Sequence, residues 1–121
     1  MHEARALMGV QETQDDFKKV CHIVRVRGEI DLDHAEDIAA ALADAIREAA
    51  PHSDIIVDLS TCSFCDSTGL NALLRARADA VEKNVRVRLA APGHQILRLL
   101  ELTGALTRFP LDPSAPEPPA V

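Results

Sequence analysis

Aromatic residues are nearly absent from this chain, which has three Phe, no Tyr and no Trp. A stacking platform for single-stranded nucleic acid needs several exposed aromatic rings, so that function class is excluded. The core must be aliphatic and rich in alanine, because 47% of the residues are hydrophobic all the same. Basic charge is also scarce: 13 Lys and Arg face 19 Asp and Glu, for a net charge of −6. Phosphate backbones and anionic lipid attract proteins through Lys and Arg. No direct nucleic-acid or membrane partner is therefore expected. No apolar run approaches the ~20 residues of a membrane span. The start, Met1-His2-Glu3-Ala4-Arg5, lacks the basic-then-apolar pattern of a signal peptide, and a cytoplasmic location is expected. The three cysteines, Cys21, Cys62 and Cys65, are an odd number and argue against a disulfide framework.

With 121 residues the chain is sized for one domain. Leu7 to Val10 is a candidate edge strand, and polar Gln11 to Lys19 reads as a turn or loop. In Cys21 to Val26, Ile23, Arg25 and Arg27 alternate with His22, Val24 and Val26. That is the period of a strand, which Gly28 is expected to end. Asp33 and Glu36 have the spacing of a capping box, which places a helix start there. Ala35, Ile38, Leu42, Ala45, Ile46 and Ala49 then recur at helical steps until Pro51.

Ile55, Ile56 and Val57 read as a buried strand. A short polar loop is expected next, and then a helix from Ser67 to Lys83. Its apolar stripe is Leu70, Leu73, Leu74, Ala78 and Val81, with Asn71, Arg75, Asp79 and Glu82 facing water. Val85, Val87 and Leu89 alternate with Arg86 and Arg88, giving a half-exposed strand with its arginines toward solvent. His94 to Thr103 reads as a third helix in which Ile96, Leu97, Leu99, Leu100 and Leu102 pack on the core, and Gly104 occupies the cap position. Leu106 to Leu111 is a candidate final extended piece. Residues 112–121 hold four prolines in ten positions and are expected to form a disordered tail. Strand–helix–strand units make parallel neighbours. The expected fold is therefore α/β: a small mixed sheet of about four to five strands with helices packed on it.

The segment with chemical content is Asp66-Ser67-Thr68-Gly69-Leu70, which follows the buried strand and opens the second helix. A hydroxyl at a helix N-terminus, beside a carboxylate, suits a phosphorylation switch. The plain alternative is a helix cap made by Asp66 or Ser67. Cys62-x-x-Cys65 has the spacing of thioredoxin-like redox sites, but Asp58 and Asp66 would raise the thiol pKa values. A zinc site from Cys21, His22, Cys62 and Cys65 would need those four residues to converge. His2, His34, His52 and His94 fall near loops or helix ends. There is no Gly-x-Ser-x-Gly elbow, P-loop or dinucleotide fingerprint. A binding protein without catalytic residues, metal or cofactor is expected.

Asp58-Leu59-Ser60, Phe64 and Asp66-Ser67-Thr68-Gly69-Leu70 together resemble the signature of the STAS domain, and in particular of bacterial anti-sigma-factor antagonists. Gly28-Glu29-Ile30-Asp31 and Leu99-Leu100-Glu101-Leu102-Thr103-Gly104 are similar to two further segments of that family. The resemblance spans residues 20–111 in the family's order, so that a STAS domain is expected over 1–111. Cys65 stands where the family usually has an aliphatic residue, a tolerable exchange because cysteine packs as a small hydrophobe.

The resemblance implies phosphorylation of Ser67, with Thr68 as second choice, by an anti-sigma factor that is also a serine kinase. The unphosphorylated protein would hold that kinase and free a sigma factor, and a phosphatase would reset the cycle. The implied docking surface is Asp66, Ser67, Thr68, Gly69 and Leu70 with Asn71, Arg75, Glu29 and Asp31, on a monomer. Asp58 would support the phosphosite. Two other readings stay open. One is a passive STAS module, a scaffold or an accessory subunit of a signalling or transport complex, with Ser67 only capping a helix. The other is a thiol redox protein using Cys62 and Cys65.

Overall fold

The computed structural model describes residues 7–14 and 20–116. Five strands form one sheet in sequential order: β1 (Leu7–Gln14), β2 (Val20–Ile30), β3 (Asp54–Cys65), β4 (Arg86–Ala90) and β5 (Leu111–Asp112). β1 is antiparallel to β2, and the remaining neighbours are parallel. Helices α1 (Ala35–Glu48), α2 (Ser67–Glu82) and α3 (His94–Thr103) make the crossovers. A sheet wound steadily in one direction by right-handed crossovers carries its helices on one face. On that face Val24, Val57 and Leu89 meet Ile38 and Leu42 of α1, Leu73 of α2, and Ile96 and Leu100 of α3 in one aliphatic cluster. The expected α/β architecture is the one observed.

The other face of the sheet is laced with ion pairs. Arg25 Nε lies 3.3 Å from Asp58 Oδ2, Arg86 Nη2 lies 3.2 Å from Asp54 Oδ2, and Arg88 bonds Asp112. Arginine stems cover apolar surface while their heads stay paired, so Asp54 and Asp58 are buried with partners. Arg86 and Arg88 thus hold carboxylates of β3 and β5 together.

Several boundaries differ from the sequence reading, each for a physical reason. Gln11 to Gln14, read as a turn, continue β1, because they pair with Ile23 to Val20. Residues 15–19 of that turn lie outside the described residues. Gly28 does not end β2; with φ 86° it sits at a register shift, and the strand runs on to Ile30. Glycine alone adopts that backbone without strain. The polar loop expected after β3 is strand to Cys65. Two register shifts place extra β3 residues opposite β2. Thr61 Oγ1 donates to Val26 O at 2.9 Å and Ser63 Oγ to Gly28 O at 3.2 Å, so hydroxyls satisfy carbonyls that the interrupted ladder leaves unpaired.

α1 starts at Ala35 rather than at Asp33. Its N-cap is His34, without a side-chain cap, and Asp31 holds the turn before it: the Asp31 backbone oxygen accepts from Ala35 N at 2.8 Å and its Oδ1 from His34 N at 3.2 Å. His34 Nδ1 also lies 2.8 Å from Asp31 Oδ1, but off the N–H direction, so it makes no hydrogen bond there. The buried side of α2 is turned toward its small residues: Gly69, Leu70, Ala72, Leu73, Ala76 and Ala80 are inside. Ala78 and Val81 are outside and Leu74 is half-buried. Alanines let the helix approach its neighbours closely but weigh little in a hydrophobicity pattern.

α3 buries Ile96 and Leu100 and leaves Leu97 and Leu102 exposed. Gly104 caps it with φ 77°. The stretch expected to be extended begins as a 3₁₀ turn, Ala105–Arg108. Asp112, expected to begin the tail, belongs to β5 opposite Ala90, and residues 117–121 lie outside the described part. No described helix is long and apolar enough to cross a membrane.

Candidate functional site

The C-terminal ends of parallel strands are where open α/β sheets place their sites. Here β2 and β3 end side by side, with Ile30 opposite Cys65. The chain then turns into α2 through Asp66, whose N–H donates to Ile30 O at 3.1 Å. Asp66 is the N-cap of α2. Its Oδ1 accepts from Gly69 N at 3.0 Å and from Thr68 Oγ1 at 2.6 Å. These bonds, the Thr68 hydroxyl first, hold the Asp66 carboxyl below its ordinary pKa, so it is ionised at neutral pH.

Ser67 comes next and is exposed. Among the described residues its hydroxyl has no hydrogen-bond partner. The two hydroxyls of the motif are therefore not equivalent: Thr68 is occupied and Ser67 is available. The helix is brought this close to β2 by Gly69. A Cβ at that position would lie 2.5 Å from Ile30 O and 2.6 Å from Ile30 Cγ2.

The remaining predicted residues fall in four places. Glu29, exposed on β2, and Asp31, just beyond its end, lie at the same end of the sheet as Asp66 and Ser67. Asn71 and Arg75 are exposed along α2 and line a shallow groove with Thr68, Leu74 and Ala78. Gly69 and Leu70 are buried, so neither side of that turn offers them to a partner; they seat the helix. Asp58 is not brought to Ser67. It faces Arg25, while Cys65 faces Ile30, a separation along β2 of roughly 16 Å at ~3.3 Å per residue. Its Oδ1 accepts from Ser60 N at 3.0 Å, which ties it to the first irregularity of β3.

The thiols are built for packing. Cys62 and Cys65 are buried and unpaired. Burial pushes both up, Cys65 to about 12, with Cys62 and Asp66 adding to the rise at Cys65. A protonated thiol is a poor nucleophile. Cys21 lies opposite Asp54 and Cys62 opposite Gly28, more than about 20 Å apart along β2. Cys21 and His22 therefore do not converge with Cys62 and Cys65.

Two residues at this end, Leu32 and Gln95, escaped the sequence reading, and a third, Phe64, entered it only as part of the family signature. Leu32 is 73% exposed and Phe64 40% exposed, an apolar pair beside the acidic residues. Phe64 carried a signal, as one of only three aromatic residues in the chain. Leu32, between Asp31 and Asp33, carried one only as an apolar residue among acids. Gln95 of α3 carried none: its side-chain amide bonds both backbone groups of Cys65, with Cys65 N to Oε1 at 3.0 Å and Nε2 to Cys65 O at 2.8 Å.

Fold and site define a small α/β module that presents a free serine at the start of a helix, beside an ionised cap. A family model described as Mlab, STAS domain, matches residues 13–109, and the chain belongs to the STAS domain family. Among solved structures it is similar to an anti-sigma factor antagonist from Mycobacterium paratuberculosis. That match has 26% identity and a TM-score of 0.71, over 89% of this chain and 87% of that one. It is also similar to the Bacillus cell fate determinant SpoIIAA in its phosphorylated form, at 24% identity and a TM-score of 0.61, over 86% and 90% of the two chains. A murine anion transporter, solute carrier 26 family member A9, shares the fold at 16% identity and a TM-score of 0.72. That match covers 90% of this chain but 21% of the transporter.

Proposed function

We propose that this protein is an anti-sigma-factor antagonist that works by partner switching. Unphosphorylated, it binds an anti-sigma factor with serine-kinase activity and frees a sigma factor. Phosphorylation of Ser67 switches it off, and a phosphatase resets it. The observation that carries this reading is the free, exposed Ser67 hydroxyl beside an engaged Thr68 and an ionised Asp66. A phosphate adds about −1.5 to −2 charges at neutral pH. The Gly69 N–H is already held by Asp66, so the new charge meets a carboxylate rather than that donor. Glu29 and Asp31 make the same end more acidic still. Repulsion at a docking surface supplies the difference in affinity between two states that a switch requires.

The test is an affinity pull-down from native extract with wild type, Ser67→Ala and Ser67→Asp as baits, with mass spectrometry of the eluates and of Ser67. Wild type and Ser67→Ala are expected to capture an ATPase-like kinase that Ser67→Asp loses. The likeness to a transporter's domain favours one other reading, a passive module within a larger assembly. Identical partners for all three baits, with Ser67 unmodified, would establish that reading and remove the switch.

A further inference from the structure

β4 stops pairing with β3 at Asp58 and Ala90. The C-terminal half of β3 therefore has β2 on one side and no strand on the other. At Cys65 a side chain takes the strand's place. Gln95, in the first turn of α3, accepts from Cys65 N at 3.0 Å and donates to Cys65 O at 2.8 Å. A primary amide offers the same donor and acceptor as a peptide group. The peptide that joins Cys65 to Asp66 is consequently held on both sides, its carbonyl by Gln95 and its N–H by Ile30 O at 3.1 Å. That peptide sets the extended backbone of Asp66, φ −106° and ψ −172°, from which the carboxylate reaches Gly69 N and the Thr68 hydroxyl.

We propose that Gln95 is a positioning residue for the Ser67 site. By clamping Cys65 it orients the Asp66 cap, which occupies Thr68 and leaves Ser67 as the presented hydroxyl. The clamp reaches across thirty positions of sequence, so it makes the start of α3 part of a site otherwise built from β2, β3 and α2. Its bearing on switching rests on the reading of Ser67 as the phosphorylated residue; the geometry it sets does not.

The experiment compares the full chain as wild type, Gln95→Ala and Gln95→Glu by amide hydrogen exchange at Cys65 and by an NMR titration of the Asp66 carboxyl. Gln95 is exposed, so both variants are expected to fold. Gln95→Ala should exchange Cys65 N–H at least about tenfold faster than wild type, and its Asp66 should titrate higher, toward the ordinary carboxylate range. Gln95→Glu at neutral pH keeps an acceptor for Cys65 N–H but cannot donate to Cys65 O, so its Cys65 exchange should fall between wild type and Gln95→Ala. Below about pH 4 the introduced carboxyl is neutral, with one donor and one acceptor, and the exchange ratio to wild type should return to about one. Unchanged exchange in Gln95→Ala overturns the proposal. So does faster exchange with Asp66 titrating as before, since the clamp would then position nothing. If both readouts move but Ser67 is never phosphorylated in native extract, the positioning role stands and the switch reading fails.

Discussion

Two adjacent hydroxyls, Ser67 and Thr68, differ in one respect that matters for a switch: Thr68 Oγ1 is tied to Asp66 Oδ1 at 2.6 Å, whereas Ser67 is unbonded. The cap that makes this distinction is also a stability element. Asp66→Ala should cost about 1 kcal/mol at neutral pH in urea denaturation. The native carboxyl titrates below its unfolded-state value of about 3.9. Its contribution is therefore present above that value and is lost as the pH falls through the native one. The gap between wild type and variant should close in acid; a gap that persists there would assign the loss to something other than the carboxylate.

Asp58 is the contrary case, an acid of the motif whose role is structural. Asp58→Ala leaves Arg25 unpaired and Ser60 N–H without its acceptor. The expected cost is about 2–3 kcal/mol, less than for a fully buried pair because Arg25 is partly exposed. The Asp66 titration should stay where it is. A displaced Asp66 curve would mean that the two acids communicate after all.

Elements meet at this site through their smallest residues. The first turn of α2 packs on the end of β2 because Gly69 has no side chain. Gly69→Ala must push the helix away from Ile30 or distort the strand end, an overpacking cost of about 1–3 kcal/mol. Chemical denaturation reads that cost, and loss of the Asp66 N–H bond to Ile30 O would appear as faster amide exchange at Asp66. At the far end of the same helix, Lys83 Nζ donates to Ile46 O and Arg47 O at 2.8 and 2.7 Å, closing the C-terminus of α1. Helix α2 is thus seated on β2 by a backbone approach at one end and joined to α1 by a charged cap at the other.

Burial within the molecule as a whole keeps the thiols of Cys62 and Cys65 neutral. Cys62 and Cys65 have native pKa values raised by burial, while the unfolded chain ionises near ~8.5. The native state therefore holds more protons than the unfolded state at alkaline pH. Stability is fully present below the unfolded value and declines as the pH rises toward the native ones. In the native protein at pH 8, iodoacetamide should leave Cys62 and Cys65 unmodified, and both should react after unfolding in guanidinium. Rapid native alkylation of either would contradict the buried, protonated state and reopen redox chemistry.

Much of this architecture is already written in local pattern. The alternation of Val24 and Val26 in β2 and of Val87 and Leu89 in β4, the helical spacing of Ile38, Leu42 and Ile46, and Gly104 after α3 each follow from backbone geometry and solvent alone. Asp66-Ser67-Thr68-Gly69-Leu70 likewise marks its own helix start, because an N-cap is a local hydrogen-bond problem. What local pattern could not reach depends on neighbours distant in sequence. Ser60 to Ser63 look like a loop until β2 lies beside them to receive the hydroxyls of Thr61 and Ser63. Ala72, Ala76 and Ala80 become the inner side of α2 only because packing rewards close approach as well as hydrophobicity. Whether Asp58 belongs to the site is decided by strand register, and Gln95 joins it only after a crossover returns α3 to the end of β3. The sequence by itself determines the central part of each strand and helix and the cap of α2, since those are short-range choices. The tertiary structure alone decides which of their side chains share a site.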